Sequence, residues 1–226
     1  MKLISFRDVF TADPEQSSII LVEGAAGTLK SALCFSLMLE TLKDKEDAGL
    51  YLTFEQTWES HLRNMKSLGL ESPENLLVSD YNFMRKEFRD EEMNINIFDS
   101  ILGMVEALKS EKKDHFKIFA LDSLNALYSI LSHDNLENAK ISFFRRLKSL
   151  GVITLLIFEK TTEQDRKNLR ERFLADGIIS LGIMHNKGDV VRYLQPVKLT
   201  SSEHSLKRRQ MAAKSDGLAL LGPFYR

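Results

Sequence analysis

The stretch Ile19-Ile20-Leu21-Val22-Glu23-Gly24-Ala25-Ala26-Gly27-Thr28-Leu29-Lys30-Ser31-Ala32-Leu33 decides how this chain is read. Its first four residues form an apolar run of strand length, and its last residues open a helix-forming stretch. Between them stand Gly24, four residues, Leu29, Lys30 and Ser31. Gly, four residues, Gly, Lys, Ser or Thr is the pattern of a phosphate-binding loop. The chain meets it everywhere except Leu29, which occupies the place of the second glycine.

Such a loop wraps main-chain N–H groups around an anion at a helix N-terminus, where the helix dipole also favours negative charge. The candidate cradle is Gly24, Ala25, Ala26, Gly27, Thr28, Leu29, Lys30, Ser31 and Ala32. Gly24 and Gly27 let the chain turn and approach phosphate closely. Lys30 offers a mobile positive charge to the β- and γ-phosphates. The Ser31 hydroxyl is a candidate ligand for Mg2+. A leucine at position 29 costs about 1–2 kcal/mol if the turn there needs positive φ. The plainer reading is a glycine-containing strand-to-helix turn with a surface lysine.

Outward from the loop, strands and helices alternate. Ile19–Glu23, Leu50–Phe54, Leu76–Ser79, Lys117–Asp122 and Val152–Phe158 read as strands. Ser31–Lys43 and Thr57–Leu68 read as helices, the second amphipathic through Trp58, Leu62 and Met65. Phe98, Ile101, Leu102, Val105 and Leu108 mark another helix, and Phe143, Phe144, Leu147 and Leu150 a further one. The charged stretch Arg85–Glu92 reads as an exposed loop or helix start. Apolar strands alternating with helices predict an α/β fold, a mostly parallel central sheet flanked by helices on both faces. Ligands then bind beyond the carboxyl ends of the strands, where the phosphate loop lies. Gly177–Met184 and Val190–Leu199, joined through Lys187-Gly188, predict a C-terminal antiparallel hairpin. No repeat or linker divides the chain, so residues 1–226 are expected to form one domain.

Composition narrows the function. The net charge of −1 provides no basic field, which disfavours nucleic acid as a partner. One cysteine, Cys34, leaves no disulfide framework and no cysteine-based zinc site; it reads as a small core residue. The five histidines show no metal-ligand spacing. No apolar run is long enough to span a bilayer and no signal peptide is visible, so the cytoplasm is the expected location.

Two carboxylates end predicted strands. Asp122 in Phe119-Ala-Leu-Asp-Ser-Leu either holds Mg2+ through a water or caps a helix; beside a phosphate loop the metal role is favoured. Glu55 in Tyr51-Leu-Thr-Phe-Glu-Gln-Thr either orients and deprotonates an attacking water or complements a helix dipole from its first turn. Glu159, at the end of Val152–Phe158, is a weaker candidate for the same region.

Five segments in order, Gly24–Ser31, Tyr51–Glu55, Ala120–Leu124, Asp176–Leu181 and Arg192–Leu199 followed by Glu203-His-Ser, resemble the KaiC-like ATPases of the RecA superfamily. The resemblance runs over roughly residues 19–224. It implies a RecA-like P-loop core, with ATP or ADP and Mg2+ at a Walker A loop. It implies Glu55 as the catalytic carboxylate, acting with Lys30, and Asp122 as the Walker B aspartate. It implies a homo-oligomeric ring in which Lys198 and His204 reach a neighbour's nucleotide. Three positions depart from the family pattern: Leu29, Gln56 in place of a second glutamate, and Thr200 in place of an arginine. The segment before Ile19 is also short and lacks a glycine-rich lead-in. The resulting expectation is an ATP-binding protein with weak or regulated hydrolysis, serving as a switch or assembly module. The alternatives are a non-hydrolysing nucleotide sensor that binds a regulatory protein partner, a DNA-binding paralogue, and a pseudo-ATPase whose Leu29 fills the phosphate site. Lys207, Arg208 and Arg209 read as a solvated basic turn, with replacement of the missing arginine as the competing role.

Overall fold

The computed structural model describes residues 1–87, 97–131, 136–160, 169–186, 189–200 and 204–223. At the centre of its sheet is β1 (Ile19–Gly24), buried along its whole length. Its parallel neighbours are β5 (Ile153–Glu159) and β6 (Gly177–Asn186). With β2 (Ala48–Thr53), β3 (Leu76–Asp80) and β4 (Phe116–Asp122), the parallel part runs β3-β2-β4-β5-β1-β6. Three antiparallel strands then extend it: β7 (Asp189–Leu199), β8 (Arg209–Lys214) and β9 (Gly217–Pro223).

Successive side chains of a strand face opposite ways, so a strand apolar at every position needs cover on both faces. Ile20 and Val22 pack with Leu33, Phe35 and Leu37 of α2 (Lys30–Thr41), on the face that also holds α1 (Phe6–Phe10) and α3 (Trp58–Ser67). Ile19 and Leu21 pack with the cluster of Phe98, Ile101 and Val105 and of Phe143, Phe144 and Leu147. These belong to α5 (Ile97–Lys112) and α7 (Leu136–Ser149), after α4 (Tyr81–Glu87) and α6 (Leu124–Ser129) in the chain; α8 (Leu169–Leu174) precedes β6. Cys34 lies buried in α2, and burial pushes its thiol pKa up. Among the described residues no helix is long and apolar enough to cross a membrane.

The strand-and-helix alternation read from the sequence is the architecture observed, with three differences. The buried seam of α3 runs through His61 and Met65, while Trp58 is 37% exposed. The β8–β9 hairpin was not expected, because β8 has only Met211 fully buried and its alternation is faint; Asp216-Gly217 was its turn signal. α1 opens on a capping box between Ser5 and Asp8, in the segment before Ile19 whose sequence shows only that it is short and without a glycine-rich lead-in. The Lys187-Gly188 turn, Glu203, and the Arg85–Glu92 stretch beyond Glu87 lie outside the described residues.

Candidate functional site

Strand register gathers four carboxyl ends at one edge of the sheet: Gly24 is opposite Glu159, and Thr53 is opposite Asp122, about two residues further back. The loop after β1 turns there. A Cβ on Gly24 would lie 2.6 Å from the Leu181 carbonyl oxygen and 2.8 Å from Thr28 Oγ1, so only glycine lets β1, β6 and the loop meet. Gly27 has φ +75° and Leu29 has φ 69° and ψ 32°, so the position where a second glycine belongs does require a left-handed backbone. That conformation costs a leucine about 1–2 kcal/mol. The isobutyl group packs against the core cluster that includes Met65 and forms one wall of a cleft of about 350 Å3. Glu55, Asp122, Ser123 and Glu159 line the same cleft.

Lys30 folds under its own loop. Its Nζ donates to the Ala25 carbonyl at 2.9 Å and lies 3.6 Å from Glu159 Oε2. The Thr28 hydroxyl donates to the same carbonyl at 2.8 Å. Ser31 lies beside Asp122, and the Tyr51 hydroxyl donates to Asp122 Oδ2 at 2.7 Å. Burial raises the Asp122 carboxyl pKa; the bond from Tyr51 and the Ser31 hydroxyl oppose it, the Glu55 charge adds to it, and the Lys30 charge opposes it. A cation beside this carboxylate favours its ionised form. Ser31 and Asp122 together offer a hard hydroxyl and carboxylate pair, the donor set that suits Mg2+. Among the described residues no three His, Cys, Asp or Glu side chains converge as a metal cluster. A metal here would draw its other ligands from water and phosphate, as Mg2+ commonly does.

The structure removes two capping alternatives. Ser123, not Asp122, caps α6: its hydroxyl accepts from the Ala126 N–H at 3.2 Å. Asp122 is left to face the loop. Glu55 precedes Thr57, the cap of α3, and the first-turn glutamate is Glu59. Instead Glu55 accepts a short hydrogen bond from the Ser123 hydroxyl inside the cleft. Gln56 turns toward α3: its amide pairs with His61 Nδ1 at 3.2 Å, and its oxygen accepts from Asn64 at 2.9 Å. His61 stacks on Tyr51 with ring centroids 4.2 Å apart, and burial pushes its pKa down to about 4. Tyr51, Ser123 and His61 were missed from sequence. Only the Asp-Ser pair before an apolar run signalled any of them, as an ambiguous cap.

The late segment sits apart from this cleft. Lys198 donates from Nζ to the carbonyls of Ala175 at 2.5 Å and Arg172 at 3.3 Å, at the carboxyl end of α8. His204 packs edge-on to Phe10 of α1, with centroids 6.0 Å apart. The Thr200 hydroxyl donates to the Asp176 carbonyl at 3.0 Å. Arg208 lies over Tyr193 and donates to Gln195, and Arg209 donates to the Asp8 carbonyl. A contact the sequence did not suggest comes from β7: Arg192 Nε donates to the Gly27 carbonyl at 2.8 Å, at the tip of the loop.

Comparison with known proteins agrees with this geometry. The sequence profile of the family described as "ATPase: KaiC" matches residues 7–223. "Circadian clock protein KaiC2" of Synechocystis is 22% identical over 223 residues, covering 96% of this chain and 38% of that protein. A "Circadian clock oscillator protein KaiC" of Prochlorococcus marinus is 25% identical over 207 residues, covering 88% of this chain and 40% of its own length. A "UPF0273 protein" of Aeropyrum pernix is 24% identical over 221 residues, 93% of this chain and 88% of that one. The chain therefore spans about two fifths of these KaiC relatives. The crystal structure of a KaiC-like protein from Pyrococcus horikoshii superposes with TM-score 0.79 at 18% identity, covering 96% of this chain and 95% of that one. At that identity the likeness concerns the fold: a mostly parallel sheet finished by antiparallel strands.

Proposed function

This chain belongs to the ATPase family typified by KaiC, and on that premise we propose that residues 1–226 form one cytoplasmic domain that binds ATP or ADP with Mg2+ and turns ATP over slowly, as a nucleotide-dependent switch or assembly module. The observation that carries this reading is the meeting of Lys30, Ser31, Asp122 and Glu55 in one cleft, from the ends of β1, β4 and β2. Main-chain amides of residues 25–31 and the Lys30 ammonium would hold the phosphates. Ser31 and Asp122 would hold the metal, Asp122 through water. Bound Mg2+ supplies neutralisation of charge on the transferring phosphoryl group. Glu55 would orient and deprotonate water, with the Ser123 hydroxyl fixing its carboxylate.

Slow turnover is supported by the departure at residue 200. Among the described residues that bound the cleft no arginine stands, and Thr200 occupies the place of the family's arginine. An arginine at such a place is worth orders of magnitude in rate. Lys198 and His204 would serve a neighbouring subunit's nucleotide in a homo-oligomer. Lys198 would first have to leave the α8 carbonyls. The second reading, a nucleotide sensor that scarcely hydrolyses and signals to a regulatory protein partner, draws support from Leu29 in the loop and Thr200 at the arginine's place.

Calorimetric titration with ATP and ADP, with and without Mg2+, tests binding; mass measured on the same samples gives the oligomeric state. Lys30→Ala is expected to remove the nucleotide-induced rise in melting temperature, and its persistence would overturn both readings. Glu55→Gln is expected to lower phosphate release about tenfold or more with affinity kept. Release unchanged by that substitution favours the sensor.

A further inference from the structure

Glu159 is held in place with unusual care for a residue at a strand end. It is the last residue of β5, in register with Gly24. One side chain grips its backbone from both sides: Asn125 Oδ1 accepts from the Glu159 N–H at 2.6 Å, and Asn125 Nδ2 donates to the Glu159 carbonyl at 3.1 Å. The next residue, Lys160, donates its N–H to the Gly24 carbonyl at 3.1 Å. These bonds use main-chain groups of Glu159 and Lys160. The Glu159 carboxylate faces the cleft, with Oε2 3.6 Å from Lys30 Nζ. The Lys30 side chain is only 10% exposed, so the pair lies at the cleft floor on one side and reaches solvent on the other.

We infer that Glu159 is a latch on the loop lysine, an internal anion that occupies Lys30 in the free protein and that an incoming nucleotide phosphate must displace. The inference rests on the nucleotide-binding reading above. Lys30 carries three N–H donors but one charge. A carboxylate fixed beside it opposes the approach of a second anion to the same ammonium. The opposition is compounded because Glu55 and Asp122 line the same cleft, where Lys30 is the one cation among the described lining residues. Removing the charge of Glu159 while keeping its shape therefore strengthens phosphate binding. The carboxylate is 42% exposed, so solvent limits the gain to a few-fold.

Glu159→Gln, with Glu159→Asp as the charge-keeping control, tests this by calorimetric titration of ADP, with and without Mg2+. Glu159→Gln is expected to bind about three- to fivefold more tightly than the natural protein, and Glu159→Asp to stay within about twofold. Gln matches Glu in shape, and Glu159→Ala repeats the measurement with no polar group at all; it too is expected to bind more tightly. A merely structural role would lower the melting temperature of the nucleotide-free variants and leave affinity unchanged or weaker. Equal or weaker binding by Glu159→Gln, with the natural protein binding normally, overturns the latch alone. Failure of the natural protein and Glu159→Gln alike to bind ADP or MgATP at millimolar concentration overturns the nucleotide reading, and the latch with it.

Discussion

The parallel and antiparallel parts of the sheet treat their strands differently. β1 is buried at every position, and β2, β4 and β5 at all but one end residue or one near it. β7 is buried at Leu194, Pro196 and Leu199 and is otherwise open or half-open. The cleft residues project from the ends of the first kind of strand. The second kind contributes a single reach-over contact, from exposed Arg192 to the Gly27 carbonyl. A strand covered on both faces has its end fixed by packing on two sides, and a short loop there inherits that precision. A strand half-open to water lends a side chain without setting the shape of the site.

That contrast can be broken or sharpened by substitution. The largest effect is expected at the seam of β1 and β6. Gly24→Ala places a Cβ 2.6 Å from the Leu181 carbonyl oxygen, a backbone atom with little room to yield. It should lose about 2–3 kcal/mol in urea unfolding; a loss below about 0.5 kcal/mol would mean the seam is looser than its packing indicates. Next comes acid sensitivity on the α2 face. With its pKa pushed down to about 4 by burial, His61 stays neutral in the folded protein where the unfolded chain takes up a proton. Stability contributed by the neutral ring is therefore intact above the unfolded value near 6.5 and declines as pH falls toward 4. From pH 7 to pH 5 the natural protein should lose about 2 kcal/mol through this group, and His61→Phe should flatten that portion of the profile. The smallest effect belongs to the antiparallel part. Arg192→Ala should cost under about 1 kcal/mol of stability and leave nucleotide affinity within about twofold, since its bond to Gly27 is exposed. Abolished binding in Arg192→Ala would make β7 part of the site and erase the contrast.

The same difference explains what could be read in advance. β1, β2, β4 and β5 announce themselves as apolar runs because both their faces are covered. β8 places one residue in the core and gives no comparable pattern. In the cleft, Lys30, Ser31, Glu55 and Asp122 were legible because each follows an apolar run or belongs to the loop. Whether Asp122 or Ser123 capped α6 was not legible, since a shift of one residue separates a cap from a free carboxylate and both residue types suit either place. Tyr51 and His61 were invisible for another reason: an aromatic in a strand and a histidine on a helix say nothing of each other until the two elements stack. Lys198 and His204 were singled out through the resemblance alone; in the structure Lys198 binds the α8 carbonyls and His204 packs on Phe10.

Leu29 carries a last consequence. Its left-handed backbone is one that its own side chain resists, so the bend is imposed from outside, by β1 behind it and α2 ahead. A peptide of residues 19–41 would relax out of that shape in water. The loop's shape is thus a property of the assembled sheet, and transplanting these letters onto another strand-and-helix corner would carry over the spelling without the bend.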